Sequence, residues 1–193
     1  MIAILKYNSG NIMSVRVALK RLGHDAVITD DPGIINKAEK IIIPGVGEAG
    51  SAMKYLRERE LDSVIISLKQ PVLGICLGLQ LMCSFSEEND TECLGIFDTV
   101  VRRLPAGARV PHIGWNDFVS VSDDPLLKGI NPGDDVYYVH SYCTIINEYT
   151  TAVCDYGLQF SAAMRRGNFF ATQFHPEKSA ETGARILENF LRL

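Results

Sequence analysis

Residues 71–80 read Pro71-Val72-Leu73-Gly74-Ile75-Cys76-Leu77-Gly78-Leu79-Gln80. The short apolar run predicts a buried parallel strand, and Gly74 and Gly78 bracket Cys76 on a strand-to-helix turn. Glycines at these two places remove the Cβ atoms that would clash where the chain reverses. The central side chain is then forced upward at the carboxyl edge of the sheet. A helix read from Leu77 through Phe85 would aim its first N–H groups at the sulfur, favouring a thiolate and offering a donor to an oxyanion. Cys76 is therefore a nucleophile candidate; the competing reading is a small buried hydrophobe beside a Gly-rich turn.

Upstream of this turn, β-branched runs alternate with helical patterns. The runs are Ile2–Leu5, Ala26–Ile28, Lys40–Ile43 and Val72–Ile75, with helices over about Asn11–Leu22, Ser51–Arg59 and Leu61–Leu68. In the first helix Val15, Ala18, Leu19 and Leu22 recur at helical spacing opposite Arg16, Lys20 and Arg21, and Gly23 closes it. Such a βαβ series predicts a three-layer α/β fold, an open and mostly parallel sheet with its site at the carboxyl ends of the strands. From Leu94 the text turns to strands and turns: Phe118–Ser122, Val136–Val139, Thr151–Cys154 and Gln159–Met164 read as antiparallel additions to that sheet. A closing helix over about Ala180–Leu191 would bury Ile186, Leu187, Phe190 and Leu191.

The base for a cysteine nucleophile is sought where Phe169–Phe174 runs into His175-Pro176-Glu177. A thiol attacking an unactivated amide needs an imidazole to take its proton and return it to the leaving nitrogen. A carboxylate fixes the tautomer of that ring and stabilises the imidazolium. Pro176 stops the strand, so His175 and Glu177 leave the sheet edge together. The competing reading is a strand-end histidine followed by a solvated glutamate.

The chain has 193 residues, 47% of them hydrophobic, and a formal net charge of −4. That length suits one domain over residues 1–193 with a sizeable core. The charge, with basic runs no longer than Arg102-Arg103 or Arg165-Arg166, argues against a nucleic-acid surface. No apolar segment approaches the roughly 18 residues of a membrane span and no signal pattern opens the chain, so a cytoplasmic protein is expected. Cys76, Cys83, Cys93, Cys143 and Cys154 are an odd set without CxxC spacing, which opposes a disulfide framework and a zinc site. Four of them are expected to be reduced structural thiols, and no metal site is expected.

Pro44-Gly45-Val46-Gly47 follows the strand Lys40–Ile43 and can be a backbone anion cradle or a turn that needs glycine only for geometry. A phosphate loop is disfavoured because no Walker lysine follows. Gln80, one turn beyond Cys76, can reach the same site. Tyr138-Val139-His140-Ser141-Tyr142 and His112-Ile113-Gly114-Trp115-Asn116 gather polar and aromatic groups at strand ends, which suits substrate or interface contacts. His112 and His140 read as hydrogen-bonded structural histidines.

Together Pro44–Gly47, Gly74–Gln80 and Phe174-His175-Pro176-Glu177 resemble the class I glutamine amidotransferases, along the whole chain, and so imply their flavodoxin-like fold. Gly10-Asn11, His112–Asn116, Val139–Tyr142 and Lys178-Ser179 look most like the glutaminase subunits of imidazole glycerol phosphate synthases. The resemblance implies Cys76 as nucleophile, His175 as acid and base, and Glu177 as the group that orients it. It implies oxyanion donors at Val46, Gly47 and Leu77, and L-glutamine held by Gln80, Glu88, Ser141 and Tyr142. It also implies docking through Asn11, Trp115, Tyr138 and Lys178 on a separate (β/α)8-barrel cyclase subunit that receives the ammonia, and no metal or organic cofactor. Two segments depart from relatives: Lys6-Tyr7-Asn8, commonly Asp-Tyr-Gly, and Glu48-Ala49, where an aromatic is common. The alternatives are the glutaminase subunit of a pyridoxal phosphate synthase, a stand-alone cysteine hydrolase and a catalytically silent binding subunit.

Overall fold

The computed structural model describes residues 1–105 and 107–193. Strand β1 (Ile2–Leu5) shows how the layers arise: Ile2 and Ile4 face one core and Ala3 and Leu5 the other, the alternation of a strand buried on both faces. Helix α1 (Ile12–Arg21), strand β2 (Ala26–Thr29), helix α2 (Pro32–Lys37), strand β3 (Lys40–Ile43), helices α3 (Ala49–Glu58) and α4 (Leu61–Ser67) and strand β4 (Val72–Ile75) follow. Then come helix α5 (Leu77–Met82), strands β5 (Cys83–Ser86), β6 (Thr91–Glu92), β7 (Phe97–Arg103) and β8 (His112–Val121), and, after a 3-10 turn at Pro125–Leu127, β9 (Asp135–His140) and β10 (Tyr142–Thr144). Strands β11 (Thr150–Asp155), β12 (Gln159–Arg166) and β13 (Phe169–Thr172), a 3-10 turn at Pro176–Lys178 and helix α6 (Ala180–Arg192) close the chain.

The main sheet has nine strands in the order β2-β1-β3-β4-β13-β12-β11-β8-β9. Its first five strands pair parallel and the last four are added antiparallel, as the strand-and-turn text predicts. Leu19 of α1 and Ile186, Leu187 and Phe190 of α6 pack on one face; Ile35, Met53, Leu56, Leu61 and Ile65 of α2–α4 pack on the other. Helix α6, 13 residues long, would be marginal alone, and burying three large apolar side chains, at about 1.5–3 kcal/mol each, is what fixes it to the sheet. Leu191, expected in that stripe, is only half-buried at its edge.

Three features depart from the sequence reading. The helix expected through Phe85 stops at Met82, because Cys83–Ser86 pairs with β6 and β7 in a second, four-stranded sheet of order β10-β7-β5-β6 that the sequence pattern does not reveal. Helix α2 is an additional element, hidden because Pro32-Gly33 resembles a turn. Asp31 caps it, accepting from the N–H groups of Gly33 at 2.7 Å and Ile34 at 3.3 Å, with Pro32 at a first-turn position that needs no N–H partner. Strand β8 is longer than Phe118–Ser122 and carries His112–Asn116 within it.

The bracketing glycines are explained by backbone approach. A Cβ on Gly78 would lie 2.0 Å from the Ile43 carbonyl oxygen, and one on Gly74 would lie 2.8 Å from the Gly78 backbone. Strand β4 and helix α5 therefore meet backbone to backbone, and this closeness brings the end of β3 against the start of α5.

Candidate active site

Cys76 sits between β4 and α5 with φ 51° and ψ −102°, a left-handed conformation that a side-chain-bearing residue holds only when its surroundings fix it. They do: its N–H donates to the Thr172 carbonyl at 2.7 Å, and its own carbonyl accepts from Gln80 N–H at 3.2 Å. The side chain is 5% exposed, and Sγ lies 3.6 Å from both the Val139 carbonyl and Gln173 Nε2.

His175 follows the short bend at residues 173–174 after β13, two residues before Glu177 in the 3-10 turn. Both side chains are fully shielded from solvent, with His175 Nδ1 2.8 Å from Glu177 Oε1. Asn11 Nδ2 also donates to Glu177 Oε1. Because the carboxylate accepts from Nδ1–H, Nε2 is the ring position free for proton exchange, and it has no hydrogen-bond partner among the described residues. Burial alone would lower the pKa of His175, but its interactions with Cys76 and Glu177 outweigh that and raise it to about 10. The imidazolium is thus strongly favoured within this cluster.

A cleft of about 270 Å³ opens over the sulfur. It is lined by Val46, Gly47, Cys76, Leu77, Gln80, Glu88, Pro111, Val139, His140, Ser141 and Tyr142, so every residue expected to hold substrate or an oxyanion borders one space. Glu88 reaches it from beyond β5; Oε2 accepts from Ala49 N–H at 2.8 Å, and burial raises its pKa. Leu77 N–H, an expected oxyanion donor, is engaged with the Gly45 carbonyl at 3.3 Å, and the Val46 carbonyl accepts from Gly10 N–H at 2.8 Å.

The family model for glutamine amidotransferase class I matches residues 6–193. The chain belongs to that family. This amidotransferase is 54% identical over its whole length to the imidazole glycerol phosphate synthase subunit HisH of Bacteroides fragilis (strain YCH46), covering 99% of that protein. It is 45% identical to the protein of the same name from Buchnera aphidicola subsp. Schizaphis graminum, again covering all of this chain and 99% of the relative. Among solved structures, a glutamine amidotransferase superposes with a TM-score of 0.76 at 20% identity, covering 99% of this chain and 97% of the other. PurLQS from Thermotoga maritima gives 0.73 at 16% identity, with coverage of 99% and 97%. At that identity the two structures speak for the fold alone.

The residues expected at a docking face of the amidotransferase divide. Trp115 is 53% exposed and Lys178 is exposed. Asn11 is only half-buried, but its amide is committed to Glu177. Tyr138 requires a correction: it is fully buried, its ring stacked on His112 with centroids 4.8 Å apart. Strand alternation is the reason, since the inward face of β9 carries Val136, Tyr138 and His140 and the outward face Tyr137 and Val139. Tyr137 is the aromatic that faces outward, its ring 5.9 Å from that of Trp115 across the strand pair. Of the departing segments, Glu48 caps α3, accepting from Gly50 N–H at 2.7 Å and Ser51 N–H at 2.9 Å, and Lys6 lies 3.8 Å from Asp30.

His112 and His140 form the structural pair read from the sequence. His140 Nδ1–H donates to the Tyr142 carbonyl at 2.9 Å, and its Nε2 accepts from His112 Nδ1 at 3.0 Å. Burial lowers His112 to about 4 and His140 to about 3, so both are neutral near pH 7. Burial likewise pushes the Cys83, Cys93, Cys143 and Cys154 thiols up, and all four are unpaired. Among the described residues no helix is long and apolar enough to cross a membrane, and no cluster of three or more His, Cys, Asp or Glu side chains is arranged to hold a metal ion.

Proposed function

We propose that this chain is the glutaminase subunit of an imidazole glycerol phosphate synthase, a single domain acting in the cytoplasm, where its five unpaired thiols stay reduced. The observation that carries the reading is Cys76 at the cleft with the fully shielded His175–Glu177 pair behind it, His175 interacting with the Cys76 sulfur, in a chain that aligns end to end with relatives bearing that name.

In the proposed reaction Cys76 Sγ attacks the side-chain amide carbon of L-glutamine. His175 Nε2 takes the thiol proton, with Nδ1–H held by Glu177, and delivers it to the nitrogen as the C–N bond breaks, releasing ammonia and leaving a γ-glutamyl thioester. His175 then takes a proton from the water that hydrolyses the thioester to glutamate. Glu88 at the cleft wall suits the substrate ammonium, and Gln80, Ser141 and Tyr142 border its remaining polar groups. Backbone N–H groups of Gly47 and Leu77, with Val46 placing the turn, serve the oxyanion. Ammonia freed into water would be protonated, so it passes to a (β/α)8-barrel cyclase subunit. There it acts on a phosphoribulosyl imidazole intermediate to give imidazole glycerol phosphate and an aminoimidazole carboxamide ribotide, in histidine biosynthesis.

The docking face we assign to that partner is the outer surface of β8 and β9, where the cross-strand pairs Ile113/Val139 and Trp115/Tyr137 stand outward, with Lys178 next in sequence to Glu177 of the catalytic turn. Tyr137 is bonded to that turn on both sides. Its carbonyl accepts from His175 N–H at 2.9 Å, and its N–H donates to Ser179 Oγ at 2.9 Å, whose hydroxyl donates to the His175 carbonyl at 2.7 Å. A partner bearing on Trp115 and Tyr137 therefore bears on the base. The engaged Leu77 N–H and the tethered Val46 carbonyl describe a resting turn that docking would release.

The test is glutamate release by the isolated chain, by the complex, and by the complex with the cyclase ligand. Activity is expected to be slight in the first and to rise through the other two; equal rates in all three would reject gating by a partner and favour a stand-alone hydrolase. Trp115→Ala should weaken docking by about 2 kcal/mol, roughly 30-fold in Kd, the scale of an interface aromatic anchor. Lys178→Ala should reduce the activation more than it reduces the stability of the fold.

A further inference from the structure

A fully buried glutamine, two residues before His175, touches the sulfur. Gln173 Nε2 is the donor 3.6 Å from Cys76 Sγ. Which end of this amide faces sulfur is decided two side chains away. The Tyr142 carbonyl can only accept, so the group meeting it at 2.9 Å is Gln80 Nε2. The same nitrogen lies 3.3 Å from Gln173 Oε1, and with the oxygen of Gln173 occupied in this way its NH2 is turned to the sulfur. The Tyr142 carbonyl is itself held from the other side by His140 and, behind it, His112. The polarity of the network is thus set by a backbone carbonyl.

The two polar neighbours of Sγ favour opposite states. The Val139 carbonyl, 3.6 Å away, accepts only and suits the S–H of a thiol. An amide N–H suits sulfur lone pairs, above all those of a thiolate.

We propose that Gln173 is a positioning residue of this site, an amide donor oriented by Gln80 and the Tyr142 carbonyl that stabilises the anionic sulfur of Cys76 against the thiol state favoured by Val139. The inference rests on Cys76 being the nucleophile, and it assigns to the residue before Phe174 a part beyond packing.

The experiment is the rate of carboxamidomethylation of Cys76 in the intact chain by iodoacetamide, followed peptide by peptide by mass spectrometry across about pH 5 to pH 10. The titratable groups coupled to Cys76 or bordering its cleft are His175 with Glu177 behind it, Tyr7, Glu88, His140 and Tyr142, and every variant keeps them. Gln173→Met retains the volume and removes the donor. It should slow alkylation of Cys76 about tenfold near neutrality and move the profile to higher pH, the scale of one hydrogen bond to a charged group. Gln173→Glu, which replaces the donor by an acceptor, should move it further. A role in packing alone would lower the melting temperature and leave the profile in place, so a folded Gln173→Met protein with the unaltered profile overturns the proposal. If Gln173→Met does not fold, Gln80→Met, which frees the Gln173 amide to turn over, carries the test, with a smaller shift in the same direction expected and no shift overturning it. A Cys76 that alkylates no faster than Cys93 in the unaltered protein would strike at the nucleophile itself, a result distinct from a reactive Cys76 that ignores position 173.

Discussion

Cys76→Ala is expected to lower glutamine-dependent turnover by on the order of 10⁴–10⁶, the scale seen when the nucleophile of a preorganised triad is removed. No other thiol can substitute, because Cys83 and Cys143 are buried away from the cleft and neither Cys93 nor Cys154 borders it. The fold should survive. The lost sulfur contributes little packing, and the left-handed backbone at this position is as costly for alanine as for cysteine, so the strain is unchanged. Synthesis from free ammonia by the complex should continue, since the cyclase reaction uses ammonia and not the thioester. Cys83→Ala is the control, expected to leave glutamine turnover nearly unaltered. Full glutamine use by Cys76→Ala would remove the nucleophile assignment.

His175→Ala should cost about 10²–10⁴ in rate, the range for loss of general acid and base catalysis. Glu177→Gln should cost less, because an amide can still accept from Nδ1–H but offers no counter-charge to the imidazolium. A second readout follows from the raised pKa. The folded value of about 10 lies above the ordinary histidine value of 6.5. The stabilisation it carries is therefore complete below about pH 6.5 and is lost as the pH rises toward 10. The difference in unfolding free energy between the unaltered protein and His175→Ala should shrink over that window when measured by urea denaturation. Equal activity in all three proteins would make His175 and Glu177 structural.

The parts of the site legible in the sequence are those where geometry demands one residue type. Gly74 and Gly78 could be read because no Cβ fits between β4, α5 and β3, and His175-Pro176-Glu177 because proline ends the segment where a base is needed. What could not be read depends on pairing between distant segments. Cys83–Ser86 carries a helix-compatible pattern and becomes a strand only because β6 and β7 lie beside it. Tyr137 and Tyr138 are adjacent aromatics whose inward and outward sense is fixed in the fold by the register of β8 against β9. Strand alternation from the apolar Val136 would have pointed Tyr138 inward, and that was the available signal. Gln173 was hidden because a glutamine in a buried strand-end segment has no periodicity to betray it, and its orientation depends on the carbonyl of Tyr142, far earlier in the chain.

The most direct test of the central claim is inactivation of the complex by a diazoketone analogue of glutamine, with the labelled peptide identified by mass spectrometry. Inactivation is expected to follow modification of Cys76 one for one, to be slowed by glutamine, and to spare ammonia-dependent synthesis. Complete loss of glutamine-dependent activity with Cys76 unmodified would contradict the account.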